Sequence, residues 1–79
     1  MEEMFLKITV DLNEQYALMD MINSLGDVHC YSIGDGLLEA IIFSLTTDDN
    51  MQIYNLISGF PGVIIVEENL FLSTENEYI

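Results

Sequence analysis

Few residues in this chain carry reactive side chains, and their spacing keeps them apart. The only histidine, His29, is followed directly by the only cysteine, Cys30. A Cys–His or Ser–His nucleophile needs its two side chains within hydrogen-bond reach. "VHCYSI" reads as a strand, and successive strand residues point to opposite faces, so this pair diverges. The adjacent acids Glu67 and Glu68 fail as an acid–base pair for the same reason. "GDG", Gly34 to Gly36, is too short for a phosphate loop and lacks the Lys and Ser or Thr that complete one. Asp48 to Asn50 lacks the spacing and closing Glu of a calcium loop. The sequence therefore predicts no enzyme, no catalytic residue, no metal site and no cofactor. A lone Cys makes no internal disulfide, and Cys30 reads as a buried thiol.

Charge points instead to binding. Fourteen Asp and Glu stand against one basic residue, Lys7, for a net charge of −13. Such a field repels nucleic acid and anionic lipid and attracts basic proteins and peptides. One Lys and no Arg argue against direct nucleic-acid binding. Acidity also keeps a small domain dispersed, so charge by itself does not require a basic partner. No apolar run reaches the roughly 18 residues that span a membrane. "MEEMFLKITV" carries acids where a secretory signal carries Lys or Arg. The expectation is a cytoplasmic protein, in the host cytoplasm if its origin is a phage, with no membrane partner.

With 51% hydrophobic residues in 79, the chain is long enough for one small core and too short for two. The sequence predicts a single domain over 1–79 with an acidic C-terminal tail from about 73. Displaced by 35 without gaps, "LKITVDLNEQYALMDMINSLGDVHCYS" (6–32) falls on "IIFSLTTDDNMQIYNLISGFPGVIIVE" (41–67). Classes agree where identities are few: Leu6 with Ile41, Ile8 with Phe43, Val10 with Leu45, Leu18 with Ile53, Leu25 with Phe60. Each half reads strand, helix, strand. Leu6, Ile8 and Val10 alternate with Lys7, Thr9 and Asp11. Asp11 to Glu14 starts a helix, Leu18, Met21, Ile22 and Leu25 form its apolar face, and Gly26 stops it. "GDG" is a hairpin turn between "VHCYSI" and a third strand, "LLEAIIFSL". "TTDD" caps a second helix with Ile53, Leu56, Ile57 and Phe60 on its core face. Pro61-Gly62 leads into a fourth strand at Val63. Two such units joined by a hairpin give βαββαβ, the ferredoxin-like α+β sandwich. Its antiparallel sheet has four strands in the order 4-1-3-2, with both helices on one face.

The other face of such a sheet turns polar where it meets water. Here the displaced repeat puts Ile41, Phe43 and Leu45 toward the helices and leaves Leu38, Ala40, Ile42 and Ser44 outside. With Val28 and Val63 inward, His29, Tyr31, Ile33, Ile64 and Val66 join that outer face beside Phe5, Lys7 and Thr9. Val63 to Val66 then reads as a strand buried on both faces, with a partner or second copy over the outer one. Exposed apolar patches of roughly several hundred Å² mark binding surfaces. Asp35, Glu67 and Glu68 give this one an acidic rim. The expected partner-binding set is Phe5, Tyr31, Ile33, Asp35, Leu38, Ala40, Ile42, Ile64, Val66, Glu67 and Glu68. A homodimer through the open sheet face, or the segment "LFLSTENEYI" folded over it, are the plainer ways to cover the same floor.

The hairpin "SLGDVHCYSIGDGLLEAIIFSL" and the ending "FPGVIIVEENLFLSTENE" give the chain a layout that resembles the NapD-type chaperones, which assist maturation of periplasmic nitrate reductase. The resemblance spans nearly the whole chain and implies a βαββαβ fold and binding of a client's twin-arginine signal peptide before export. An acidic rim beside an apolar face suits the basic head and apolar stretch of such a peptide. Three readings follow. The first is a non-enzymatic chaperone for a basic–apolar segment. The second is a phage-type inhibitor that mimics nucleic acid and blocks a DNA- or RNA-binding protein. The third is an ACT-like regulatory or dimerisation domain.

Overall fold

A computed structural model describes residues 3–69, so the acidic tail expected from about 73 and the segment "LFLSTENEYI" lie outside the described residues. The elements run β1 Met4–Val10, a 3-10 turn Leu12–Glu14, α1 Gln15–Asn23, β2 Val28–Gly34, β3 Leu37–Ile42, α2 Thr47–Ser58 and β4 Val63–Asn69. All neighbouring strands are antiparallel, in the order β2-β3-β1-β4. This is the expected ferredoxin-like sandwich, its strand order read from the other edge.

Local chemistry sets the element boundaries. The Asp11 carboxylate accepts the Asn13 N–H at 2.9 Å, and the Thr46 hydroxyl accepts the Asp49 N–H at 3.1 Å. Each satisfies a donor that a helix start leaves orphaned. Asp48 and Asp49 in the first turn of α2 add favourable charge at its positive end. Gly36 closes the β2–β3 hairpin at φ +72, with its backbone so close to β1 that a Cβ would stand 3.2 Å from the Val10 carbonyl. Gly62, at φ +97, lets the entry to β4 press on α1, where a Cβ would meet Leu18 Cδ1 at 3.1 Å. Its carbonyl accepts the Asp11 N–H at 2.8 Å, which ties the start of β4 to the end of β1.

Leu18 and Ile22 of α1 and Ile57 of α2 share one core with Met4, Leu6, Ile8 and Val10 of β1. Val28 and Cys30 of β2 and Leu38, Ala40 and Ile42 of β3 complete it. Both helices thus lie on one face of the sheet. Burying an aliphatic side chain of this size contributes roughly 1.5–3 kcal/mol. Phe60, expected on the core face of the second helix, and Val63, expected to point inward, pack against this core while only partly buried. Met21 and Leu56, expected on the core faces of the helices, are 44% and 53% exposed.

Two expected orientations are reversed. In β3, Leu38, Ala40 and Ile42 are fully buried toward the helices, and Glu39 and Ile41 occupy the other face. The register fixes this: Ala40 pairs with Leu6 and Ile42 with Met4. Asp11 caps its helix directly after Val10, whereas Phe43, Ser44 and Leu45 separate Ile42 from the Thr46 cap. The last inward residue, Val10 or the buried Ser44, therefore stands one place before the first cap and two places before the second. A one-residue difference inverts every side chain of a strand. In β4, Val66 faces the helices opposite Ile8. A bulge is the cause: Val10 pairs with Val63 and Thr9 with Ile65, so Ile64 is an extra residue that resets the alternation. Val63 to Val66 is not buried on both faces within the chain. It lies on an edge strand, with Ile64 64% and Ile65 51% exposed.

Candidate functional site

The sheet face turned away from the helices is built in rows that run across the strands. One row is His29, Ile41, Phe5 and Asn69, from β2 through β3 and β1 to β4. The next is Tyr31, Glu39, Lys7 and Glu67. A third brings together Leu37, Thr9 and Ile65. The result is an aromatic and aliphatic row, a charged row and an aliphatic row. Directly opposed residues on one face have Cβ atoms about 4.5–5.5 Å apart, close enough to act as a unit.

The charged row holds the chain's only Lys or Arg, Lys7, in register between Glu39 and Glu67. It leaves the row with one more negative charge than positive. Glu39 is fully buried, and the Tyr31 hydroxyl donates to its carboxylate at 3.1 Å. A buried carboxylate is tolerated only with such partners. Tyr31 also stands beside His29, ring centroids 5.5 Å apart and tilted by 39°, so β2 contributes an aromatic pair to this face.

Of the residues expected to bind a partner, Phe5, Tyr31 and Glu67 share the open face, and the exposed Ile33 lies at its β2 margin. Asp35 is exposed in the hairpin turn and Ile64 at the bulge. Glu68 is exposed on the helix side, opposite Leu6. Leu38, Ala40, Ile42 and Val66 face the core, and the outward positions of β3 belong to Leu37, Glu39 and Ile41. Sequence reasoning missed Glu39. The signal was there: it is the one charged residue in "LLEAII", and pairing it with the one Lys fixes the register of β1 and β3.

It also missed the polar pegs on α1. Gln15 is buried, and its side-chain N–H groups donate to Ser32 Oγ at 2.8 Å, to the Gly34 carbonyl at 2.7 Å and, more weakly, to the Leu37 carbonyl at 3.3 Å. Its Oε1 accepts the Gly36 N–H at 2.9 Å. Asn23 donates to the Cys30 carbonyl at 2.9 Å and accepts the Cys30 N–H at 2.8 Å. A carboxamide is the peptide group without a chain, so Asn23 occupies one residue's place beside β2.

His29 and Cys30 point to opposite faces, as their adjacency requires: His29 is exposed and Cys30 is in the core. Burial pushes the Cys30 thiol up to about 12, so it is protonated at neutral pH and a poor nucleophile. Among the described residues no cluster of His, Cys, Asp or Glu is arranged to hold a metal ion, and no helix is long and apolar enough to cross a membrane.

Fold and face together define a class: a ferredoxin-like α+β sandwich whose helix-free sheet face carries aromatic, aliphatic and acidic side chains. Within that class the chain is similar to the solution structure of the E. coli Tat proofreading chaperone protein NapD. The two superpose with a TM-score of 0.81 at 11% sequence identity, over 91% of this chain and 78% of that one. At this identity the likeness is one of fold. The sequence matches no protein family and no curated protein.

Proposed function

We propose that this protein is a non-enzymatic chaperone that holds a basic–apolar segment of a client, such as a twin-arginine export signal, against its open sheet face. The observation that carries the reading is the pairing of apolar and acidic rows on that face. Phe5 and Ile41 offer apolar contact, and Glu39 and Glu67 leave a negative excess beside them. A peptide with a basic head and an apolar stretch has the complementary order of surfaces. The likeness in fold to a Tat proofreading chaperone supports the same reading. The net charge of −13 adds long-range attraction for a basic client.

Calorimetric titration of a synthetic peptide, two adjacent arginines followed by a leucine-rich stretch, tests it. Binding is expected to weaken on Ile41→Asp and to weaken with salt, and a peptide with lysine-free, arginine-free composition is expected not to bind. Parent-like binding by Ile41→Asp at low and high salt removes the sheet face from the reading.

The net charge also favours a second reading, mimicry of nucleic acid by the acidic surface. It separates cleanly from the first. A mimic competes with DNA or RNA for a basic protein and is indifferent to Ile41.

A further inference from the structure

Glu39 is fully buried, although it stands on the face of the sheet that neither helix covers. Its neighbours on that face, Tyr31 and Lys7 across the strands and Leu37 and Ile41 along β3, all keep part of their surface in water. Further out, Glu67 on β4 and His29 on β2 are exposed. A sheet face that meets water leaves its long charged side chains in water, and acids are almost never fully buried unless they are paired. Burial is thus deepest at the centre of this face, on its least apolar row, and calls for a cover.

We infer that residues 70–79, "LFLSTENEYI", are that cover: they fold back from the end of β4 across the helix-free face, and a client has to displace them. The displacement rests on the proposed function; the cover does not. Strand β4 delivers the chain at Asn69, in the row that also holds Phe5 and Ile41, and Leu70, Phe71 and Leu72 follow at once. The order of the segment, apolar then polar then Tyr78-Ile79, repeats the order of the rows: apolar, charged, aliphatic. Reach suffices, because the outer two of four strands lie roughly 14 Å apart and ten extended residues span about 33 Å. Charge makes the cover displaceable. The segment holds Glu75 and Glu77 and no base, so it brings nothing to answer Glu39 and Glu67, and apolar contact holds it against repulsion. Two arginines of a client supply the missing charge, and Glu39 meets them once the segment is lifted. A second copy of this chain is the poorer occupant, because it brings another −13 to a face already in negative excess.

The test uses the full chain with a nitroxide on Ser73→Cys. Cys30 is buried and protonated, and the parent chain treated alike controls for labelling there. Amide signals of Phe5, Lys7, Glu39 and Ile41 are expected to be lost, while those of the exposed Gln52 and Asn55 on α2 persist. Equal loss, or equal persistence, on the two faces overturns the inference. Loss that fades on dilution assigns the face to a second copy and overturns it too. Adding the peptide of two arginines and a leucine-rich stretch is expected to restore the signals, and bound peptide with the signals still lost overturns the displacement. Phe71→Ser with Leu72→Ser is expected to restore them without peptide. The same variant is expected to bind the peptide about threefold or more tightly than the parent, since a covered face binds in proportion to its open fraction. Signals that stay lost in this variant overturn the cover. Binding by neither chain removes the proposed function, and the label still decides the cover.

Discussion

Along the β2 edge, Asn23 reaches from α1 to both backbone groups of Cys30, seven residues on. Thirty-five residues later the equivalent helix position is Ser58, whose hydroxyl turns back to the Tyr54 carbonyl of its own helix at 3.0 Å. Between these helix residues and the strands that follow, the spacing is the same: Asn23 to Val28 and Ser58 to Val63. One short side chain in place of a carboxamide therefore accompanies β4, the outer strand of the sheet among the described residues. The contrast extends to burial. Strand β2 buries Val28 and Cys30, whereas no residue of β4 is fully buried. Among the described residues the β2 edge is met by side chains of α1, whereas β4 is an edge strand with two exposed isoleucines, Ile64 and Ile65.

The largest test of this contrast concerns which face of β3 belongs to the core. Ile42→Asp buries a charge without a partner and is expected to cost at least about 3–5 kcal/mol, enough to unfold a domain of this size. Ile41→Asp, one residue away on the open face, is expected to leave stability within about 1 kcal/mol. Thermal and denaturant unfolding of the pair measures the difference. Equal losses would mean that β3 has no inner and outer side.

Next come the pegs. Gln15→Ala leaves the Gly36 N–H and the Gly34 carbonyl without their partner and is expected to cost about 2–3 kcal/mol in a urea titration. Asn23→Ala is expected to cost about 1–3 kcal/mol and also to speed amide exchange at Cys30. Ser58→Asn sharpens the contrast from the other side: exchange at Val66 is expected to slow as a carboxamide reaches the β4 edge. Unchanged exchange there would separate the open edge from the identity of residue 58.

Cys30 gives a pH test. Its thiol has an ordinary value of 9.0 and is held at about 12 in the folded chain. Between those values the folded state keeps a proton that the unfolded state has lost. The contribution of this group to stability is therefore constant below about pH 9 and falls as pH rises toward 12. Cys30→Ala is expected to lose this alkaline slope, as read from stability measured across that range. The smallest effect is expected for Glu67→Gln with Glu68→Gln, which changes stability by no more than about 0.5 kcal/mol while lowering peptide affinity at low salt.

Much of the fold is legible in the sequence because it rests on local chemistry. Asp11 and Thr46 announce the helix starts, and Asp35-Gly36 closes the hairpin where the turn residues stand. The orientation of β3 is not legible from period alone. Leu37 and Ile41 on one side and Leu38, Ala40 and Ile42 on the other are all apolar, so alternation is silent. Only the placement of Glu39 opposite Lys7 breaks the tie, and that is a long-range pairing. The outward turn of Ile65 depends on a bulge, which no composition rule marks at Ile64. Gln15 and Asn23 look like ordinary helix-surface residues until the strands they bond are in place. Sequence reasoning therefore placed Leu38, Ala40, Ile42 and Val66 on the helix-free face, whereas all four turn to the core.

The bulge at Ile64 makes the length of the chain here a matter of parity. Deleting Ile64 removes the extra residue and leaves Val63 opposite Val10 and Ile65 opposite Thr9 in unbroken alternation, so Val66 stays toward the helices and Glu67 on the other face. Deleting two leaves no extra residue to give up, so Val66 turns outward and the whole end of β4 trades faces. In the connection Phe43 to Leu45 a single added residue is absorbed before the Thr46 cap, because no paired strand lies downstream of it until α2 has been completed. A single insertion before α2 and a single deletion at the bulge of β4 are thus expected to be tolerated and a double deletion within β4 excluded, and a scan of one- and two-residue changes read by folded yield would draw that map.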